Sequence, residues 1–285
     1  MSFYLSGSVG YTFLNKNDIN VLLLADIHDG VKYCKENSKM IAKWLDENSE
    51  KYTILLEEVR GDYKLTDLWP ESIHTQELKQ LNSLNLKIIP VDIRPQLIPF
   101  SWELLDSDSI QINVLKKITL KMYIKYLEHF FKNTLTANDI MKNNNIIFNN
   151  NKNNISPEYH LSLLKELFEE YKIMYKDVMN KDIQYVRNNN PDALIRINNL
   201  ISMCMEWYII VLIFHNSKNT IIHIGLAHSN RILDLLIKVY KFNIIEKTGI
   251  NRLNEINSLI PSSCVLISKN VNNMYNKKYG INYTN

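Results

Sequence analysis

Carboxylates, imidazoles and one guanidinium stand at the ends of four aliphatic runs. "VLLLADIHDG" delivers Asp26 and His28, and "YTILLEE" delivers Glu57 and Glu58. "KIIPVDIRP" delivers Asp92 and Arg94, and "TIIHIGLAH" delivers His228. Two imidazoles, a carboxylate and an arginine support hydrolysis in two ways. Without a metal, a histidine takes a proton from water, a carboxylate fixes its tautomer and the arginine stabilises an oxyanion. With one divalent metal ion, His28, Glu57 and His228 form a ligand set that leaves positions open for water and substrate. Both routes end in cleavage of an ester or amide, and the residues alone leave the choice open.

The elements that must position these groups follow from the runs themselves. Continuous aliphatics, rather than alternation, mark strands covered on both faces. "SKMIAKWLDENSE" has a helical apolar face of Ile41, Trp44 and Leu45, and "TQELKQLNSLNL" spaces Leu78, Leu81 and Leu84 as a helix would. Strand, helix, strand, helix, strand predicts an α/β fold with a mainly parallel central sheet flanked by helices. Ligands bind such sheets at the carboxyl ends of the strands, where the polar residues above lie. Neighbouring residues in a strand face opposite ways, so only one of Glu57 and Glu58 can point into a shared cleft; Glu57 is preferred.

From about residue 101 to about 215 the pattern is helical, broken by an Asn-rich loop at about 142–156. "NPDALIRINNLISMCMEWYIIVLIFH" opens with Pro191 and becomes apolar all round, as a buried helix does. The α/β pattern returns with "TIIHIGLAH", then a helix in "SNRILDLLIKVYKF" with Ser229 or Asn230 as its expected N-cap, then a short strand in "SCVLIS". The expected organisation is one α/β domain over residues 1–285 carrying a large helical insertion.

"LLLADIH", "ILLEE" and the late "IIHIGLAHSNRILDLLIKVYKFNIIEKTG" resemble the grouping of erythromycin esterases, TraB and TIKI proteins and ChaN-like proteins. That family has a strand ending in Gly-x-x-His, a strand ending in Glu and a second Gly-x-x-His. Gly225-Leu226-Ala227-His228 matches the second motif, and Ala25-Asp26-Ile27-His28 matches the first with alanine where the family has glycine. The family glutamate falls on Glu57. The resemblance covers the first hundred residues and about 219–250. It implies a hydrolase-like site of His28, Glu57 and His228. Some members use histidine as a base without metal, some are metal-dependent proteases, and others bind haem or have no settled activity.

Around that trio, Arg94, Asp26 and Glu58 are candidates for binding substrate, with an Arg94–Asp92 ion pair as the plainer alternative. His223, interior to its strand, is expected as a satisfied core histidine. Two competing readings are kept. A metallophosphatase-like phosphoesterase would use Asp26, His28 and Asp62, but "IFHNS" and "GLAHS" do not supply its later motifs. A catalytically inactive α/β scaffold would instead bind a protein partner through the helical insertion.

Composition bounds the rest. Hydrophobic content of 46% and charged content of 22% fit a globular chain. A net charge of +3 gives no basis for nucleic-acid binding, so the expected partner is a small-molecule or peptide substrate. Three scattered cysteines, Cys34, Cys204 and Cys264, fit a reducing compartment better than a disulfide framework. The N-terminus has no signal-peptide pattern, and "WYIIVLIF" falls short of the roughly 20 apolar residues a membrane span needs. A cytoplasmic location away from membranes is therefore expected. Abundant Asn, Lys, Ile and Tyr report an AT-rich genome, such as that of a large DNA virus or a parasite, rather than a function.

Overall fold

The computed structural model describes residues 2–27, 34, 38–47, 52–59, 78, 81, 86–98, 116–132, 156–216, 219–257 and 262–275. The chain divides into two compact units. The first comprises Met1–Glu58, Pro70–Val91 and Asn216–Asn285; the second comprises Val59–Trp69 and Asp92–His215. The described elements begin with β1 (Phe3–Ser6), β2 (Gly10–Lys16), β3 (Ile19–Asp26), β4 (Lys39–Met40), α1 (Ile41–Asp46), β5 (Tyr52–Val59) and β6 (Leu86–Asp92). The helices α2 (Arg94–Leu97), α3 (Leu120–Tyr123), α4 (Lys125–Lys132), α5 (Pro157–Met174), α6 (Ile183–Asn189) and α7 (Pro191–Asn216) follow. The chain then forms β7 (Asn219–Gly225), α8 (Leu226–Asp234), β8 (Asn243–Gly249), β9 (Cys264–Ile267) and α9 (Lys269–Tyr275).

A six-stranded sheet runs in the order β6-β5-β7-β3-β2-β8. β7 lies between β5 and β3 and is parallel to both. β2 is antiparallel to β3 and to β8, so the mainly parallel sheet expected from the sequence becomes mixed on this side. The difference comes from two strands that the aliphatic runs do not announce. β2 and β3 close through Asn17 and Asp18, and Asn17 takes a φ of 53°, a conformation asparagine tolerates better than most residues. β8 is largely exposed and forms the sheet edge, so it carries no buried stripe to read. The short strand expected in "SCVLIS" is β9, which joins a separate three-stranded sheet in the order β4-β1-β9.

The core of this unit forms where β1, β3, β5 and β7 meet α1. Leu5, Leu22, Leu24, Ile54, Leu56 and Ile221 pack with Ile41, Trp44 and Leu45, the helical face expected for α1. Leu78 is buried against the same cluster and Leu81 packs beside it, whereas Leu84 lies outside the described residues. Two glycines let backbones approach closely. A Cβ on Gly10 would lie 2.2 Å from the Ile250 carbonyl oxygen, and Gly249 has a φ of +72°.

Cys34 and Cys264 form a disulfide across 230 residues of sequence. This corrects the expectation drawn from the sparse cysteines. The pairing of β1 with β9 sets Cys264 opposite Ser6, and the Cys34 sulfur lies 3.4 Å from the neighbouring Leu5 carbonyl oxygen. Counting and spacing could not show this, because tertiary strand pairing brings the two residues together. Cys204 is free and buried, and burial pushes its thiol pKa up.

The described elements of the second unit are helices. Thr119, Ser156 and Asp182 cap α3, α5 and α6 through their side-chain oxygens. Phe130 on α4 packs edge-on against Trp207 on α7 at 6.0 Å, and Phe131 packs against Phe168 on α5 at 5.3 Å. Trp207 Nε1 donates to the Pro157 carbonyl at 2.7 Å, and the Tyr123 hydroxyl donates to Asn198 Oδ1 at 2.6 Å. α7 begins at Pro191 and is 26 residues long. Its most apolar window has a mean hydropathy of 1.7, enough by length and composition to cross a membrane, but 78% of that window is buried inside the protein. The Asn-rich stretch at 142–155 lies outside the described residues.

Candidate functional site

The parallel trio β5-β7-β3 sets three of the sequence candidates at adjacent strand ends. β5 pairs Leu56 with His223 of β7, and β3 pairs Asp26 with Gly225. In-register residues of parallel strands share a sheet face, and faces alternate along each strand. Leu55, Glu57, Ile222, Ile224 and Ala25 therefore belong to one face. Leu56, Glu58, His223, Leu24 and Asp26 belong to the other. The structure brings Glu57 and His228 together and places Asp26 and Glu58 on the opposite face.

Glu57 closes onto the junction between β7 and α8. Gly225 is the N-cap of α8, and its backbone N–H donates to Glu57 Oε2 at 2.7 Å. A carboxylate at a helix N-terminus is favoured by the charge-assisted hydrogen bond and by the helix dipole. The helix starts at Leu226, so Ser229 and Asn230 are interior helical residues and not its cap. His228 consequently sits in the first turn of α8 rather than at the end of a strand. Its Nε2 lies 3.5 Å from Glu57 Oε1, with side-chain exposures of 11% and 10%. That separation exceeds a normal N–H···O hydrogen bond and suits two groups that share a third, such as a water.

Arg231 completes the cluster. One helical turn beyond His228, it places Nη2 3.1 Å from His228 Nδ1. It was not among the residues singled out from the sequence. The available signal was its spacing of three from His228 within a predicted helix.

Ala25, standing where the family pattern has glycine, is fully buried. It packs with Val9 and Leu226, the first residue of α8, with Ile27 and Ile250 against them. Its methyl group thus fills a small apolar pocket behind the start of the site helix. Ser8 and Val9 pin the end of β3, with the Ser8 hydroxyl 2.8 Å from the Ala25 carbonyl and the Val9 N–H donating to the same oxygen at 2.8 Å.

The other candidates fall elsewhere. Asp26 is buried, and its Oδ1 accepts from the Ile27 N–H at 2.8 Å. Arg94 makes a two-point contact with Asp92, Nε to Oδ1 at 2.8 Å and Nη2 to Oδ2 at 2.7 Å. His223 is a core histidine whose Nε2 lies 2.8 Å from the Gly7 carbonyl oxygen. His28 and Asp62 lie outside the described residues.

Glu57 and His228, as hydrogen-bonded here, do not fit a divalent metal shared between them; His28, the third candidate ligand, lies outside the described residues. A guanidinium can only donate, so the Arg231 contact makes His228 Nδ1 an acceptor and leaves the ring proton on Nε2. That is the nitrogen facing Glu57, and a metal shared with Glu57 would need its lone pair. Among the described residues, no group of three His, Cys, Asp or Glu is placed to hold a metal ion. Comparison of the chain with family models, with curated proteins and with solved structures finds no match.

Proposed function

We propose that the chain hydrolyses an ester or amide bond of a small molecule or peptide, with Glu57 and His228 as the groups that act on the attacking water and on the carbonyl it attacks. The observation that carries this reading is the 3.5 Å separation of Glu57 Oε1, at the end of β5, and His228 Nε2, in the first turn of α8, with both side chains nearly buried. A carboxylate and an imidazole held at that spacing can each reach one water, and exclusion of bulk solvent strengthens both interactions. His28 enters the proposal as a third member on sequence grounds alone. The phosphoesterase reading, which needs Asp26, His28 and Asp62, is not carried forward, because "IFHNS" and "GLAHS" lack its later motifs; His28 and Asp62 lie outside the described residues.

The proposal keeps the helical second unit as an insertion into an α/β domain. In the alternative of an inactive scaffold, that unit is the surface for a protein partner. The cytoplasmic location remains part of the proposal, and the Cys34–Cys264 disulfide is the observation that weighs against it.

The test is a panel of chromogenic esters, chromogenic amides and fluorogenic peptides, assayed with the full chain. Glu57→Gln and His228→Gln should each lower the turnover of any cleaved substrate by about a hundredfold or more. The unfolding midpoint should hardly change. No cleavage above buffer across the panel, or full activity in both variants, overturns the reading.

A further inference from the structure

We propose that Arg231 is a positioning residue that holds the neutral imidazole of His228 with its proton on Nε2, making His228 a hydrogen-bond donor to substrate and Glu57 the base. The catalytic consequence rests on the hydrolase reading above; the tautomer does not.

The inference starts from the asymmetry of the two ring nitrogens. Arg231 Nη2 stands 3.1 Å from Nδ1, and Glu57 Oε1 stands 3.5 Å from Nε2. A guanidinium has donors and no acceptor, while an ionised carboxylate has acceptors and no donor. A proton on Nδ1 would point an N–H at the N–H groups of Arg231 and a lone pair at the Glu57 carboxylate. The proton on Nε2 satisfies both neighbours. Which nitrogen carries the proton is set by the partner of the other nitrogen, and here that partner is charged and cannot reverse its role.

Placement on α8 makes the contact persistent. Residues 228 and 231 are one turn apart on the same helical face. The helix start is fixed from the other side by the hydrogen bond from the Gly225 N–H to Glu57 Oε2. Glu57 therefore has one oxygen committed to the backbone and one directed at the imidazole. The ring sits between a fixed acceptor and a fixed donor.

This assigns the steps of the reaction. The water oxygen bonds to the substrate carbonyl carbon as its proton passes to Glu57 Oε1. The carbonyl π pair moves onto the oxygen, which accepts a hydrogen bond from His228 Nε2–H. On collapse, the bond from carbon to the leaving oxygen or nitrogen breaks, and that atom takes the proton back from Glu57. The substrate class is thus a neutral carbonyl whose oxygen gains charge at the imidazole.

The test reads the tautomer by spectroscopy. Full-length protein labelled with 15N-histidine is studied at pH 8 by long-range 1H–15N correlation, with the His228 signals identified by their loss in His228→Gln. The wild type should show Nε2 protonated and Nδ1 unprotonated. Arg231→Met should shift the signals toward a mixture of tautomers, and Arg231→Lys, which keeps a donor, should restore them. A wild-type spectrum with the proton on Nδ1 overturns the proposal whatever the variants do. An unchanged tautomer in folded Arg231→Met also overturns it. Neither outcome depends on finding a substrate, so failure of the hydrolase reading remains separately visible.

Discussion

Reducing the Cys34–Cys264 bond should cost this protein a large part of its stability. The crosslink closes a loop of 230 residues that contains the whole second unit. In the chain-entropy treatment, a loop that long restricts the unfolded chain by about 5 kcal/mol at 25 °C, an upper value because enthalpic terms also enter. For 285 residues, an unfolding entropy of roughly 2.1 cal/mol/K per residue gives about 0.6 kcal/mol/K, so the thermal midpoint should fall by about 8 °C. The assay is thermal unfolding followed by circular dichroism, with and without a phosphine reductant, on the wild type and on Cys34→Ser. The wild type should show this fall when reduced, and Cys34→Ser should start from the lower midpoint and ignore the reductant. Thiol counting supplies the control. Denatured, unreduced protein should show one thiol, from Cys204, and reduction should raise the count to three. Three thiols before reduction, or identical midpoints with and without reductant, would refute the crosslink and the reasoning built on it.

Other outcomes follow from the same structure. Gly10→Ala should destabilise by roughly 2–3 kcal/mol or prevent soluble expression, because the new Cβ would meet backbone at Ile250 rather than a yielding side chain; denaturant titration measures it. Asp234 Oδ1 forms an ion pair with Arg252 Nη2 at 2.7 Å, and that guanidinium, ahead of Lys238, holds the Asp234 pKa below the usual carboxylate value against the opposing effect of burial. Its contribution is present above the unfolded carboxylate pKa of about 3.9 and is lost as pH falls through the lower folded value. The midpoint gap between wild type and Arg252→Met should therefore be larger at pH 7 than at pH 3, and an equal gap at both would remove the ion pair from the account. Any hydrolysis found should survive dialysis against a chelator, since the Nε2 proton of His228 is incompatible with a metal shared with Glu57; loss of activity restored by a divalent ion would reverse that assignment.

Interior strands and their polar ends were legible because burial writes itself into composition. β3, β5 and β7 are aliphatic on both faces, and each run stops where a polar group leaves the sheet. Their mutual adjacency was an inference from α/β topology, and the parallel pairing of β5, β7 and β3 supplies it. Strand alternation also separates Glu57 from Glu58 without reference to any relative. β2 and β8 were missed for opposite reasons. β2 mixes Tyr, Thr, Phe and Leu in a segment whose polar members are themselves buried, as Thr12 is against Asn251. β8 is held by hydrogen bonds to β2 and has little buried surface to leave a pattern. The disulfide and Arg231 were hidden by a different limit, since both matter through a partner that only the folded chain supplies. A cysteine's redox state cannot be read from its count when strand pairing decides which sulfurs meet. The role of His228 likewise could not be read from its motif, because a histidine beside a carboxylate is a base or a donor according to what holds its other nitrogen. Arg231, one turn further along α8, decides between them here.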